Sequence, residues 1–300
     1  MRFTPEPEQL AFATALRELF ASSDVPVAAR AWAAGDAAPG RKLWARLAEL
    51  GVAEMAADAV GLVLAFEELG RAAVPGPYVE SVAVLPALIA IDADTMATLA
   101  MPPHVPFAVD GCVADAVYLL RGSTLSTASA VATKASVDRA RLLTELEPAQ
   151  EVAEVHPSAA FGRGALAAAA QLLGAGAALL DRATDYATAR RQFGRPIGSF
   201  QAVKHQLADA YVALELARPL LFGAAIALGS ATAERDVSAA KVACSDAAYR
   251  AARTALQVHG AIGYTAEYDL ALWLTKVRAL TFAWGTQRMH RDRVRRAIGG

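Results

Sequence analysis

The feature that most constrains the fold is a run without a charged residue, Ala165–Leu180, built largely from alanine and leucine. Alanine is the strongest helix former, and the run is too short to cross a bilayer. It also contains Gln171 and two glycines, Gly174 and Gly176. We therefore expect a core helix whose small residues let neighbouring helix axes approach closely, and no membrane partner.

Long helical patterns fill the chain from Ser158 onwards, with short glycine-containing breaks between them. Ser199, Asp236 and Thr265 stand where helix N-caps are expected. Four long helices with short connections predict a four-helix bundle over residues 158–300. The predicted helices are Ala159–Ala189, Phe200–Leu228, Val237–Gly260 and Ala266–Arg296.

The remainder of the chain divides into a helical part and a part with short apolar runs. Residues 1–98 form a predicted N-terminal helical domain, and residues 99–157 a reduced middle β domain. Fewer than about sixty residues can form a few strands but not an independent barrel. The fold class expected is mainly α. The predicted helices are Glu6–Ala21, Lys42–Leu50, Val60–Arg71 and Glu80–Ile91, and the predicted strands Phe107–Val109, Val117–Leu120 and Ala140–Leu143.

Charge and residue counts exclude several function classes. The 29 basic and 30 acidic residues leave a net charge of −1, which lacks the basic excess of a nucleic-acid binder. Two cysteines are too few for a disulfide framework, and the five histidines have no metal-ligand spacing, so no metal site is expected. No apolar signal segment follows Met1, so a cytoplasmic location is expected.

Two C-terminal segments carry the functional information. The first is Arg190–Asp209, which reads RRQFGRPIGSFQAVKHQLAD, and the second is Gln257–Thr265, which reads QVHGAIGYT. Together with Glu67–Arg71 (EELGR), they closely resemble the acyl-CoA dehydrogenase family. The resemblance implies an N-terminal helical domain, a middle β domain and a C-terminal four-helix bundle, in agreement with the pattern of helices above.

The resemblance also implies FAD as cofactor and assigns four residues to its ADP half. Arg190 matches an arginine that pairs with the pyrophosphate, a role that suits a planar bidentate donor. Phe193 matches a ring near the adenosine, and Gln257 matches an amide that binds the pyrophosphate. Gly260 matches a glycine where the backbone approaches the cofactor. The alternative is that Arg190 and Gln257 only cap helix ends.

The positions that the family uses for its catalytic carboxylate hold no acid in this chain. In most of the family this carboxylate directly precedes a Gly-Thr pair near the C-terminus, and in this chain that position is Trp284. The seat that a minority of the family uses instead corresponds to Gly164. An indole N–H cannot accept a proton, so no catalytic residue is expected in this chain. The middle-domain stretch that holds the flavin ring is also missing between Leu99 and Pro157.

Three hypotheses fit this pattern. In the first, the chain is the base-deficient subunit of an α2β2 acyl-CoA dehydrogenase of actinobacterial steroid catabolism, which desaturates an acyl-CoA, and a second subunit supplies the catalytic Glu. In the second, it is a homo-oligomeric enzyme with an unrecognised base. In the third, it is a non-enzymatic interaction or scaffold protein that reuses the fold without flavin.

Overall fold

The computed structural model describes residues 5–265 and 268–299 of the chain. Five helices open it, and the first begins with Pro7 and a reciprocal cap between Glu6 and Gln9. The predicted C-cap glycine Gly51 adopts φ +84°, a conformation that favours glycine. The helices are α1 (Pro7–Ala21), α2 (Val25–Ala33), α3 (Ala38–Glu49), α4 (Val52–Ala57) and α5 (Ala59–Arg71).

The predicted helix Glu80–Ile91 is wrong. A π-helical turn, Val79–Val84, is followed by a 3₁₀ turn, Leu85–Ala87. Pro86 lacks an N–H and its ring obstructs a continuing α-helix, so the segment changes its hydrogen bonding there. The Ala97 N–H donates to Ser81 Oγ at 2.8 Å, and this bond ties the turn to the first strand of the sheet.

Five strands form one small sheet in the order β1-β3-β4-β5-β2, in which β1 runs parallel to β3 and the other pairs are antiparallel. Two of the predicted strands are confirmed, but the prediction at Ala140–Leu143 is wrong because the strand begins only at Leu143. The strands are β1 (Ala97–Ala100), β2 (Ala108–Val109), β3 (Ala116–Arg121), β4 (Thr124–Lys134) and β5 (Leu143–Glu154).

The C-terminal part is a helical bundle around α6, as predicted. The last helix was predicted as one element, Ala266–Arg296, and this prediction is wrong. Its first two residues lie outside the described residues, and the rest forms two helices, the first ending at Phe282 and the second beginning at Gln287. The predicted N-caps Ser199 and Asp236 are also wrong, since Phe200 and Thr232 occupy those positions. The helices are α6 (Pro157–Ala189), α7 (Gln201–Ala227), α8 (Ala233–His259), α9 (Leu270–Phe282) and α10 (Gln287–Ala297).

Glycines make the crossing of α5 and α6 unusually close. A Cβ added at Gly174 would lie 1.8 Å from the carbonyl oxygen of Glu67, and one at Gly70 would lie 2.1 Å from that of Gln171. The expectation of close helix approach is therefore confirmed. By length and composition α6 and α7 are both apolar enough to span a membrane, but 89% of the relevant window of α6 is buried, against 39% in α7.

Two buried acidic residues of α5 tie it to two other helices. Arg218 of α7 donates from Nη1 to both carboxylate oxygens of Glu67, at 2.7 and 2.8 Å. Arg17 of α1 pairs with Glu68. Both carboxylates are buried, and a buried charge is tolerated only when it is paired. These pairs fix the N-terminal helices on the bundle.

Candidate functional site

Arg190 and Phe193 lie on a short hairpin at one end of the bundle. Helix α6 ends at Ala189, and two-residue strands β6 (Arg191–Gln192) and β7 (Arg195–Pro196) pair directly after it. The turn residues Phe193 and Gly194 both have positive φ, +52° and +79°, as a two-residue hairpin turn requires. A phenylalanine is uncommon in this conformation. The hairpin therefore places an aromatic ring at its tip.

The ring of Phe193 is 91% exposed. Its one aromatic neighbour among the described residues is Phe200, at 6.1 Å between ring centroids. The Arg190 side chain is also exposed, while its backbone N–H donates to Tyr186 O and its carbonyl accepts from the Ile197 N–H, each at 2.8 Å. The backbone at Arg190 is thus fixed, and its guanidinium is left to solvent.

Gln257 and Gly260 lie at the same end of the bundle. The ring of His259 in α8 stacks on the ring of Tyr186 in α6, with 4.4 Å between the ring centroids. Tyr186 lies one helical turn before Arg190. Its Nδ1–H donates to the carbonyl of Ala255 at 2.8 Å. The neighbouring Gln257 side chain is exposed. The structure therefore brings the two sequence motifs together through the Tyr186–His259 contact.

Gly260 ends α8 with φ +66° and ψ −143°, a backbone conformation that is essentially restricted to glycine. A Cβ built there would meet no atom within 4 Å. Glycine is therefore needed for the backbone conformation, and the space in front of it is open. All four predicted cofactor residues are thus exposed at this end of the bundle, and their cofactor role stays a prediction. We call them, after that prediction, the nucleotide surface (Arg190, Phe193, Gln257 and Gly260).

The two positions that the family uses for its catalytic carboxylate, Trp284 and Gly164 in this chain, are in contact. Trp284 is 1% exposed, and a Cβ added at Gly164 would lie 2.3 Å from its ring. The indole of Trp284 thus fills the space next to Gly164. The ring of Phe161 packs against the indole, with 5.9 Å between the ring centroids. The sequence shows that neither position is acidic, but it does not show that the two residues touch.

A carboxylate from another element reaches this place, and sequence reasoning missed it. Glu80, on the π-helical turn, is 1% exposed, and Trp284 Nε1–H donates to its Oε1 at 3.1 Å. Burial raises the pKa of Glu80, and the nearby charge of Arg141 opposes that rise. The signal available in the sequence was a single acid within the apolar run Val79–Leu85.

Exchanging Gly164 for alanine tests the Trp284 contact. We expect Gly164→Ala to lower the free energy of unfolding by about 1–3 kcal/mol, because the added methyl overlaps the indole ring. Gly162→Ala is the matched control on the same helix: its Cβ would meet only Leu228, at 3.8 Å. That control should gain about 0.5–1 kcal/mol from helix propensity.

A double-mutant cycle by urea denaturation completes this test. Trp284→Leu removes the ring, so the cost of Gly164→Ala should largely disappear in that background. If Gly164→Ala lowers the free energy of unfolding equally in both backgrounds, the loss is not caused by overlap with the Trp284 ring.

His290 supports the backbone at Trp284, which has φ +57°. Its Nε2–H donates to the carbonyl of Trp284 at 2.9 Å, so Nδ1 accepts from the Ser238 hydroxyl at 3.1 Å. This arrangement requires the neutral ring. Burial is the main cause that lowers the pKa of His290 from 6.5 to about 4, and the Lys241 and Arg293 charges add to it.

The His290 pKa predicts a loss of stability in acid. Between pH 6.5 and 4 the unfolded chain takes up a proton that folded His290 does not. The contribution of His290 to the free energy of unfolding should therefore fall by about 1.4 kcal/mol per pH unit as pH decreases. Denaturant unfolding across this range should show a steeper pH slope for the wild type than for His290→Phe. Exposed His156→Gln should keep the wild-type slope, and equal slopes for all three proteins would refute the assignment.

Comparison with known proteins places these features in a family. The model of the acyl-CoA dehydrogenase C-terminal domain matches residues 156–299. An acyl-CoA dehydrogenase of Mycobacterium tuberculosis, IpdE2, is 30% identical over 296 residues, which cover 91% of this chain and 92% of that protein.

Two solved structures show the same fold. One is the ChsE4–ChsE5 complex from Mycobacterium tuberculosis, with a TM-score of 0.82, 22% identity and 99% of each chain covered. The other is the Tcur3481–Tcur3483 steroid acyl-CoA dehydrogenase in its G363A variant, with a TM-score of 0.82, 20% identity and 97% of each chain covered.

Proposed function

Because the chain belongs to the acyl-CoA dehydrogenase family, we propose that it is one subunit of a hetero-oligomeric, FAD-dependent enzyme of this family. The complex desaturates an acyl-CoA between Cα and Cβ. This chain contributes contacts to the ADP half of FAD, and a second subunit contributes the catalytic Glu. The single observation that carries the proposal is that all four predicted cofactor residues are exposed in a chain whose family base position is filled by buried Trp284.

The residues of the nucleotide surface fit the ADP half of the cofactor. Arg190 offers a planar pair of N–H donors to a pyrophosphate, and exposed Gln257 offers an amide. The ring of Phe193 is available to an adenosine, since 91% of it is exposed. Open space in front of Gly260 admits a phosphate close to the backbone. When bound, FAD accepts the hydride that leaves Cβ.

Trp284 and Gly164, at the two positions where the family carries its base, do not fit the role of proton acceptor. The indole presents only an N–H, which it donates to Glu80. The family reaction requires a carboxylate that takes the Cα proton in an apolar pocket. Neither Trp284 nor Gly164 is such a group, and Glu80 already accepts from the Trp284 N–H and faces the charge of Arg141. We therefore assign this role to the partner subunit.

An exposed apolar face on α7 supports a partner subunit. Contiguous apolar surface of this kind is typical of protein interfaces. The similarity to the ChsE4–ChsE5 complex favours a second acyl-CoA dehydrogenase chain as the partner, and we propose an α2β2 assembly in the cytoplasm. The similarity to a steroid acyl-CoA dehydrogenase favours a sterol-derived acyl-CoA as substrate. The exposed fractions are 57% for Tyr211, 52% for Val212, 67% for Leu216 and 48% for Leu220.

Co-expression with an acyl-CoA dehydrogenase encoded beside this chain tests the proposal. We expect a yellow complex that contains one FAD per heterodimer and desaturates an acyl-CoA. Neither chain alone should turn over substrate. A colourless chain that binds none of its neighbours would favour the non-enzymatic scaffold instead.

A further inference from the structure

A cavity of about 350 Å³ lies between the sheet and the bundle, away from the nucleotide surface. Its floor is buried and carries two ionisable groups, whereas its rim is exposed at Phe282 and Arg278. Apolar side chains form most of the remaining wall. The lining residues that matter here are Glu80, Arg141, Trp284, Val105, Leu143 and Phe282.

Arg141 is the unusual group in this cavity. It is only 8% exposed, and its guanidinium makes no hydrogen bond or ion pair with any residue that the structure describes. A buried charge without a partner costs several kcal/mol. The rigid fork of five N–H donors matches a carboxylate or a phosphate, and the apolar wall of the cavity favours an organic carboxylate. Because Arg141 lines the cavity, an anionic partner could reach its guanidinium only from that side.

Two nearby carboxylates, Asp138 and Asp110, are engaged by other groups and make no hydrogen bond or ion pair with Arg141. Asp138 pairs with Lys276 at 3.3 Å. Asp110 accepts the backbone N–H of Leu142 at 2.8 Å. Arg141 itself lines the cavity. The guanidinium is thus left facing the cavity.

Glu80 is the second polar group of this cavity. Its Oε1 accepts from Trp284, and its buried Oε2 has no partner among the described residues. Burial raises the pKa of this carboxyl, which favours the protonated form. A protonated Oε2 donates rather than repels when an anion lies between it and Arg141.

We propose that this cavity binds a small organic carboxylate with an apolar body, whose carboxylate lies between Arg141 and Glu80. Val105, Leu143 and Phe282 contact the apolar part of the ligand. The site uses none of the residues of the nucleotide surface. If the carboxylate does not bind, the proposed FAD contacts are unaffected. If the FAD contacts are wrong, the carboxylate site is unaffected.

Titration of the full chain with cyclohexanecarboxylate tests the site, both alone and in complex with a partner. Heat of binding is the main readout, and the intrinsic tryptophan fluorescence, to which Trp284 in the cavity wall contributes, is the second. Cyclohexanecarboxamide has the same shape without the charge, so we expect it to bind at least about tenfold more weakly. Inorganic phosphate lacks the apolar body and should also bind more weakly. Equal binding of acid and amide, or no binding of the acid, would overturn the proposal.

Three variants locate the binding to Arg141. Arg141→Met keeps the apolar stem and should weaken cyclohexanecarboxylate binding by at least about tenfold. Arg139 is an exposed arginine on the same turn, so Arg139→Met is the matched control. It should bind cyclohexanecarboxylate with wild-type affinity. Glu80→Gln retains a donor and an acceptor, and should bind within about threefold of the wild type.

Arg141→Lys covers the case in which Arg141→Met does not fold. It keeps the charge but loses the planar fork, so we expect an intermediate affinity for cyclohexanecarboxylate. Wild-type affinity in folded Arg141→Met, or in Arg141→Lys if the former does not fold, would show that the acid binds elsewhere.

Discussion

Gly174→Ala is expected to lower the free energy of unfolding by about 3 kcal/mol or more, the largest stability effect predicted for this chain. The added Cβ would lie 1.8 Å from Glu67 O and 2.9 Å from the Arg71 nitrogen. Both are backbone atoms of α5 and cannot rotate away as a side chain does. The two helices must separate, and the Glu67–Arg218 pair above them must shift.

Chemical denaturation measures this effect, with Gly162→Ala as the control on the same helix. The control lacks a close neighbour and should be more stable than the wild type by about 0.5–1 kcal/mol. A Gly174→Ala protein of wild-type stability would show that α5 and α6 are not in backbone contact in solution.

Arg190→Ala in the reconstituted complex is expected to weaken FAD binding by about 10- to 100-fold. A hydrogen bond to a charged group contributes about 1.5–3 kcal/mol, and each 1.4 kcal/mol corresponds to a factor of ten. Because the backbone at Arg190 is fixed by Tyr186 and Ile197, the substitution should remove the guanidinium without moving the hairpin. Arg190→Lys should give an intermediate affinity, since a point charge does not replace the bidentate fork.

The dissociation constant of FAD is measured by ultrafiltration and flavin fluorescence. Arg121→Ala, an exposed arginine of the small sheet, serves as the control for loss of a surface charge. Unchanged FAD affinity in Arg190→Ala, with the complex intact, would remove Arg190 from the cofactor site. The helix-capping alternative would then be preferred.

The long helices could be predicted because their periodicity and breaks are local properties. The ends of α1, α5 and α6 lie within two residues of the predicted positions. The break between α9 and α10 was missed because it depends on the positive φ of Trp284, which tertiary contacts maintain. The helix predicted at Glu80 failed because Pro86 changes the hydrogen bonding of an otherwise helical segment.

The residues of the nucleotide surface could be named from the sequence because they lie in two contiguous motifs. Their exposure could not be predicted, since it depends on a hairpin with Phe193 at its tip. The contact between Trp284 and Glu80 joins residues 204 positions apart. No periodic pattern reports such a pair, so both Glu80 and the cavity with Arg141 emerged only from the fold.

The central claim is that this chain contacts the nucleotide of a cofactor in a complex whose base belongs to another chain. Photolabelling that complex with an FAD analogue bearing an azide on its adenine ring tests the claim most directly. Peptide mapping should then find the label on this chain, at the hairpin around Phe193 or beside Gly260. Label confined to the partner, or to the sheet of this chain, would contradict the claim.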